Sequence, residues 1–84
     1  MTREDILRTV QKHLAAVLDG VDAADLDPQR SMKDYGANSL DIVEVVSATM
    51  RELRVKIPRS ELSKLTNMDQ LVEMLHQAAQ GREG

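Results

Sequence analysis

Apolar residues recur at three- and four-residue steps along much of the chain, the period of helices with one face turned inward. Ile6, Leu7, Val10, Leu14, Val17 and Leu18 share such a face and predict a first helix from Thr2 to about Leu18. Thr2 is placed to cap its first turn, with Asp5 reaching back three residues later, and Asp19-Gly20 ends it. From Val21 to Asn38 the period is lost, and the Asp, Pro, Ser and Gly residues of this stretch form a long connection. Leu26, Met32 and Tyr35 are spaced through it so as to pin it to a bundle, which predicts an ordered loop with a helical turn rather than a linker.

The period returns at Ser39 and predicts a second helix to about Leu53. Leu40, Val43, Val46, Met50 and Leu53 make its stripe, flanked by Ile42, Val45 and Thr49. So wide a stripe means either a central place in the bundle or an exposed apolar strip that meets a partner. Pro58 lacks an amide hydrogen and suits the first turn of a short helix over Arg59 to Leu65. A last helix begins near Thr66 or Asn67, with Thr66 and Asp69 at capping-box spacing, and turns Met68, Leu71, Val72, Leu75 and Ala79 inward. Residues 81–84 are expected to fray. The sum is an all-α domain over residues 1–80, a bundle of three main helices and one short one with a long loop after the first, and no strand.

At 84 residues there is room for one core and none for a separate catalytic domain. Phe and Trp are absent and Tyr35 is the lone aromatic, so the core is aliphatic, with Met50, Met68 and Met74 as pliable filler. The lack of cysteine excludes disulfides and thiolate catalysis. A net charge of −3 without clustered cations argues against nucleic acid and for basic protein partners. No apolar run reaches signal or membrane length, which gives a cytoplasmic expectation and no membrane. His13 and His76 stand on the terminal helices without the convergent ligands of a metal or acid–base site. The run Arg51-Glu52-Leu53-Arg54 with Lys56 reads as a solvated helix end whose cations complement the dipole, with Arg59 just beyond it as a share in partner recognition.

The chemistry concentrates in Asp34-Tyr-Gly-Ala-Asn-Ser-Leu-Asp41. Gly36 permits a sharp turn, and Ser39 then stands at the mouth of the second helix, where free amides and the positive end of the dipole favour a phosphate. On spacing alone, a serine there is most often an N-cap and nothing more.

In this segment the chain resembles the acyl carrier protein family, in which Gly-x-Asp-Ser-Leu opens the second helix and the serine receives 4'-phosphopantetheine from coenzyme A. Here the motif stands as Gly36-Ala37-Asn38-Ser39-Leu40. The resemblance extends over the first helix, the long loop, the Ile57-Pro58 step and the capped last helix. It implies attachment at Ser39, with Gly36, Asn38 and Leu40 around it and Asp41, Glu44, Val45 and Arg59 facing partners. It also implies a monomer that carries acyl groups as thioesters among other enzymes and catalyses nothing. Those enzymes would be a phosphopantetheinyl transferase, then an acyltransferase, a ketosynthase or an enzyme resembling 3-hydroxy-3-methylglutaryl (HMG) synthase. Asn38 departs from the usual Asp and removes a charge that a basic transferase reads.

The segments Gly36 to Glu44, Met50 to Leu53 and Ile57 to Leu62 resemble a narrower group, the free-standing polyketide carriers that donate acetyl for β-branching. A malonyl or acyl carrier of a fatty-acid or other synthase shares most of these residues. An unmodified helical interaction module is the alternative from another class. A small hydrolase using Ser39 is a further one, for which no base can be assigned.

Overall fold

A computed structural model describes residues 2–83, with the side chains of Arg59 and residues 81–83 outside the description. Helix α1 spans Arg3–Val17. Its capping box forms as expected: Thr2 Oγ1 accepts the Asp5 amide at 3.2 Å and Asp5 Oδ2 accepts the Thr2 amide at 3.4 Å. Ile6, Val10 and Leu14 are fully buried, while Leu7, Val17 and Leu18 pack at the core's edge. The chain leaves the helix through an extended Leu18 and a left-handed Gly20.

The long connection carries two single turns of 3-10 helix, Ala23–Asp25 and Met32–Tyr35, and it is stitched down. Leu26 and Met32 are buried, and Gln11 Nε2 on α1 donates to the Leu26 carbonyl. The Tyr35 phenol oxygen accepts the Asp27 amide at 2.7 Å, with the Arg30 guanidinium over its ring. Across to the start of the last helix, the Met32 amide donates to the Thr66 carbonyl and the Asp69 amide to the Pro28 carbonyl. Asn67 Nδ2 adds a bond to the Gln29 carbonyl. Ser31 and Asn67 make an isolated antiparallel bridge; the described residues contain no strand. The connection thus behaves as part of the bundle, because these bonds tie its backbone to α1 and to the start of the last helix.

Helix α2 spans Ser39–Leu53, the expected range, but its inward face differs from the expected stripe. Ile42, Val45, Val46 and Thr49 are buried, whereas Leu40 is 79% exposed, Val43 40% exposed, and Met50 and Leu53 lie between. The flank is therefore the core face, and of the expected stripe only Val46 is fully inside. Thr49 is tolerated there because its hydroxyl donates to the Val45 carbonyl at 2.7 Å.

Helix α3 is shorter than expected, Arg59–Leu62, with Pro58 as its N-cap rather than in its first turn. Leu65 lies beyond it, buried, in the turn leading to α4, Met68–Glu83. The expected pairing of Thr66 with Asp69 does not form. Asn67 Oδ1 instead accepts the Gln70 amide at 2.9 Å, and Gln70 Oε1 accepts the Thr66 amide at 2.7 Å. Asn67 thus caps the Gln70 amide without a reciprocal box, and the same side chain reaches the loop through Nδ2. Met68, Leu71, Val72, Leu75 and Ala79 turn inward as expected. Of residues 81–84, expected to fray, the backbone of 81–83 continues α4, and Gly84 lies outside the described residues.

Helix α1 packs against both α2 and α4, and the aliphatic core fills the space among them. The radius of gyration, 11.8 Å, matches the value of about 12 Å for a fully packed domain of this length. No described helix is long and apolar enough to cross a membrane.

Candidate functional site

The site is built where the stitched-down loop meets α2. Gly36 closes the second 3-10 turn at φ +94°, its amide donating to the Lys33 carbonyl at 3.0 Å. A Cβ at Gly36 would meet nothing within 4 Å, so the glycine is needed for its backbone angle and not for space. Ala37 drops into the core, which anchors the approach to the helix.

Asn38, and not Ser39, is the N-cap. Its Oδ1 accepts the Asp41 amide at 2.8 Å, and Asp41 Oδ2 accepts the Asn38 amide at 3.1 Å. This reciprocal box supplies the cap that a serine in such a position is most often there to give. Ser39 becomes the first helical residue, exposed, and its hydroxyl makes no bond among the described residues. It stands among the free amides at the positive end of the helix, a setting that stabilises a phosphodiester oxygen. An exposed, uncommitted hydroxyl in that field fits a covalently held phosphate.

Beside Ser39 runs a small cleft between α2 and α3, about 210 Å³, lined by Lys33, Ile42, Val43, Val46, Leu62, Ser63 and Leu65. Lys33 was not singled out from the sequence. It comes to the cleft because the 3-10 turn folds back toward α2, which no periodicity announces.

The expected partner-facing residues separate into different environments. Leu40, Val43 and Glu44 are exposed, so the surface next to Ser39 is an apolar strip with a carboxylate beside it. Asp41 is half-buried and committed to the cap, which limits it as a docking charge. Val45 is a correction: it is fully buried and faces the core, so it touches no partner. The helical step from Glu44 carries it by about 100° toward Ile42 and Thr49. The Arg59 side chain lies outside the described residues.

His13 belongs to a contact between α1 and α2. His13 Nε2 lies 3.0 Å from Glu52 Oε1, which Lys12 Nζ also meets at 2.6 Å, and these hydrogen bonds hold the Glu52 carboxyl below its ordinary value. The Lys12 hydrogen bond is the larger cause and that of His13 the second. Glu52 is about 20 Å of helix from Ser39, so His13 is no base for that hydroxyl. No cluster of metal-ligating side chains occurs among the described residues.

Comparison with known proteins agrees with this geometry. The family described as "phosphopantetheine attachment site" matches residues 8–75. The chain is 30% identical to the polyketide biosynthesis acyl-carrier-protein AcpK of Bacillus subtilis, over 95% of this chain and 98% of that protein. It is 35% identical to an acyl carrier protein of Rubrobacter xylanophilus over 94% of this chain and all of the relative. It is 37% identical to one of Cyanidioschyzon merolae, over 92% of this chain and 85% of that protein. Such proteins are carriers and not catalysts, which sets aside the hydrolase, and their phosphopantetheine sets aside the unmodified module. With a helical bundle, a glycine turn and a serine at the mouth of α2, the chain belongs to the acyl carrier proteins, which bear acyl groups on phosphopantetheine.

Proposed function

We propose that Ser39 is the attachment point of the 4'-phosphopantetheine arm and that the chain serves a polyketide pathway in the cytoplasm as a monomer. Its finer role is that of the carrier donating acetyl to an HMG-synthase-like enzyme of β-branching. The observation that carries the attachment is the division of labour at the helix mouth: Asn38 does the capping, and the exposed Ser39 hydroxyl is left uncommitted. The arm would supply a terminal thiol that holds the acyl group as a thioester. Gly36 and Ala37 fix the approach, the α2 amides favour the phosphate, and Leu40, Val43 and Glu44 form the surface met by the transferase, an acyltransferase, a ketosynthase or the HMG-synthase-like enzyme. The polyketide role draws support from the similarity to AcpK.

Intact mass before and after incubation with coenzyme A and a broad-specificity phosphopantetheinyl transferase tests the attachment. One arm is expected on the wild type and none on Ser39→Ala; an unchanged wild-type mass, or an arm on Ser39→Ala, overturns it. Loading of the finished carrier with acetyl and with malonyl by cognate enzymes then tests the finer role. Acetyl transfer to an HMG-synthase-like enzyme supports the donor role, and exclusive malonyl loading replaces it with that of an ordinary extender carrier. Glu44→Lys is the clean probe of the docking strip, because Asp41→Lys also removes half of the cap.

A further inference from the structure

Most described cations are paired. Arg3, Arg8, Lys12, Arg30 and Lys64 meet the carboxylates of Glu73, Glu4, Glu52, Asp34 and Glu61 in turn. Arg51, Arg54 and Lys56 meet no carboxylate among the described residues, yet they stand together at the C-terminal end of α2. They rim an open groove of about 640 Å³ against α4, whose apolar lining is Met50, Val55 and Ala78. Glu52, which lies between the two arginines in sequence, does not neutralise them, because Lys12 and His13 of α1 hold its carboxylate.

Arg54 adds a separate observation. It is the one described residue other than glycine with positive φ, at φ 58° and ψ 42°, where it ends α2. Its amide and that of Val55 both reach the Met50 carbonyl. Glycine closes a helix in this way with least strain, so the backbone alone gives no reason for an arginine. A helix dipole accounts for a cation in the last turn. It does not account for three cations around an apolar floor, nor for one of them in the geometry that glycine prefers.

We propose that this groove docks an acidic amphipathic helix of a partner protein, with apolar side chains against Met50, Val55 and Ala78 and carboxylates on Arg51, Arg54 and Lys56. Arginines form bidentate pairs with carboxylates, and an open groove with an apolar floor suits the apolar face of a helix. The charge of the rest of the molecule disfavours a nucleic acid: the chain is −3 overall, and Asp41 and Glu44 lie farther up the same helix. The groove is about 20 Å of helix from Ser39, so a partner held there leaves the serine accessible. The inference does not depend on modification of Ser39.

The test is a titration of the isotope-labelled full chain, followed by amide chemical shifts, with a synthetic helical peptide carrying leucine on one face and glutamate on the other. Controls are a scrambled peptide of the same composition and polyglutamate. Saturable shifts confined to residues 50–56 and the neighbourhood of Ala78 are expected, and the double variant Arg51→Glu, Lys56→Glu should weaken binding at least about tenfold. Arg54→Gly keeps the backbone geometry, so it should weaken binding with helicity unchanged. If the double variant does not fold, Arg54→Gly and Arg51→Gln give the decision. The proposal is overturned by no saturable shift at the groove, by shifts centred on Leu40 and Val43, by an equal response to either control, or by unaltered affinity in the folded variants.

Discussion

At the N-terminal end of α2 side chains close the helix, Asn38 and Asp41 each bonding the other's backbone and leaving the other first-turn amides free; at the C-terminal end the Met50 carbonyl is met by the Arg54 and Val55 amides, with Arg54 turned left-handed. The first arrangement leaves the helix unstrained and a hydroxyl to spare, and the surface beside it is apolar and acidic. The second stores strain and presents cations around a groove. A helix end can thus be closed with spare chemistry or closed at a cost, and what is left exposed differs in sign and in use. Both ends hang from one buried strip, Ile42, Val45, Val46 and Thr49, which fixes their separation.

The largest effect is expected where that strip is cut. Val45→Ala removes two methyl groups from a fully buried position and should cost about 2–3 kcal/mol, while Val43→Ala, two residues away and exposed, should stay within about 0.5 kcal/mol. Urea denaturation of the two variants checks this, and equal losses would mean that α2 is rotated from the orientation described. Next in size is the cap: Asn38→Ala should cost about 1 kcal/mol, seen as a fall in Tm of about 4–8 °C. Asn38→Asp keeps the capping oxygen and adds a negative charge at the positive end of the dipole, so it should hold or raise Tm. At the other end the sign reverses. Arg54→Gly relieves the left-handed strain and should stabilise the fold by about 0.5–1 kcal/mol, read from the same urea midpoints. A loss of stability there would mean that the arginine side chain holds the bundle together.

Sequence periodicity located the three main helices and the first capping box, because amphipathic spacing and cap chemistry are local. It misplaced the inner face of α2, since eight apolar or threonine positions spread over more than half the helix circumference and only α1 and α4 decide which ones are covered. Val45 was lost to the surface by the same ambiguity. The place of Ser39 at the mouth of α2 was legible from the glycine turn, but its freedom from capping was not, because Asn38 and Ser39 are both good caps and only geometry assigns the role. Asn67 took the cap expected of Thr66 and also makes a long-range bond to Gln29. Lys33 and the basic groove came from chain reversal and from the absence of pairing among the described residues, neither of which has a period.

The smallest effect bears on why the basic end stays basic. Glu52 is the carboxylate nearest in sequence to Arg51 and Arg54, and its commitment to Lys12 and His13 both links α2 to α1 and withholds charge from the groove. Its folded pKa lies below the ordinary 4.5, first through the Lys12 hydrogen bond and then through that of His13. A depressed carboxylate contributes stability that is complete above the unfolded pKa and is lost as the pH falls through the folded one. The advantage of wild type over Glu52→Gln should therefore be present at neutral pH and vanish as the pH drops below about 4.5 and past the lowered value. The group is solvent-exposed, so the advantage is small and should shrink further in high salt. Paired urea midpoints of the two proteins across that range decide the matter: a difference that persists to the acid end would show that the Glu52 side chain acts by packing, and that its bonds to α1 are not what keeps its charge from the arginines.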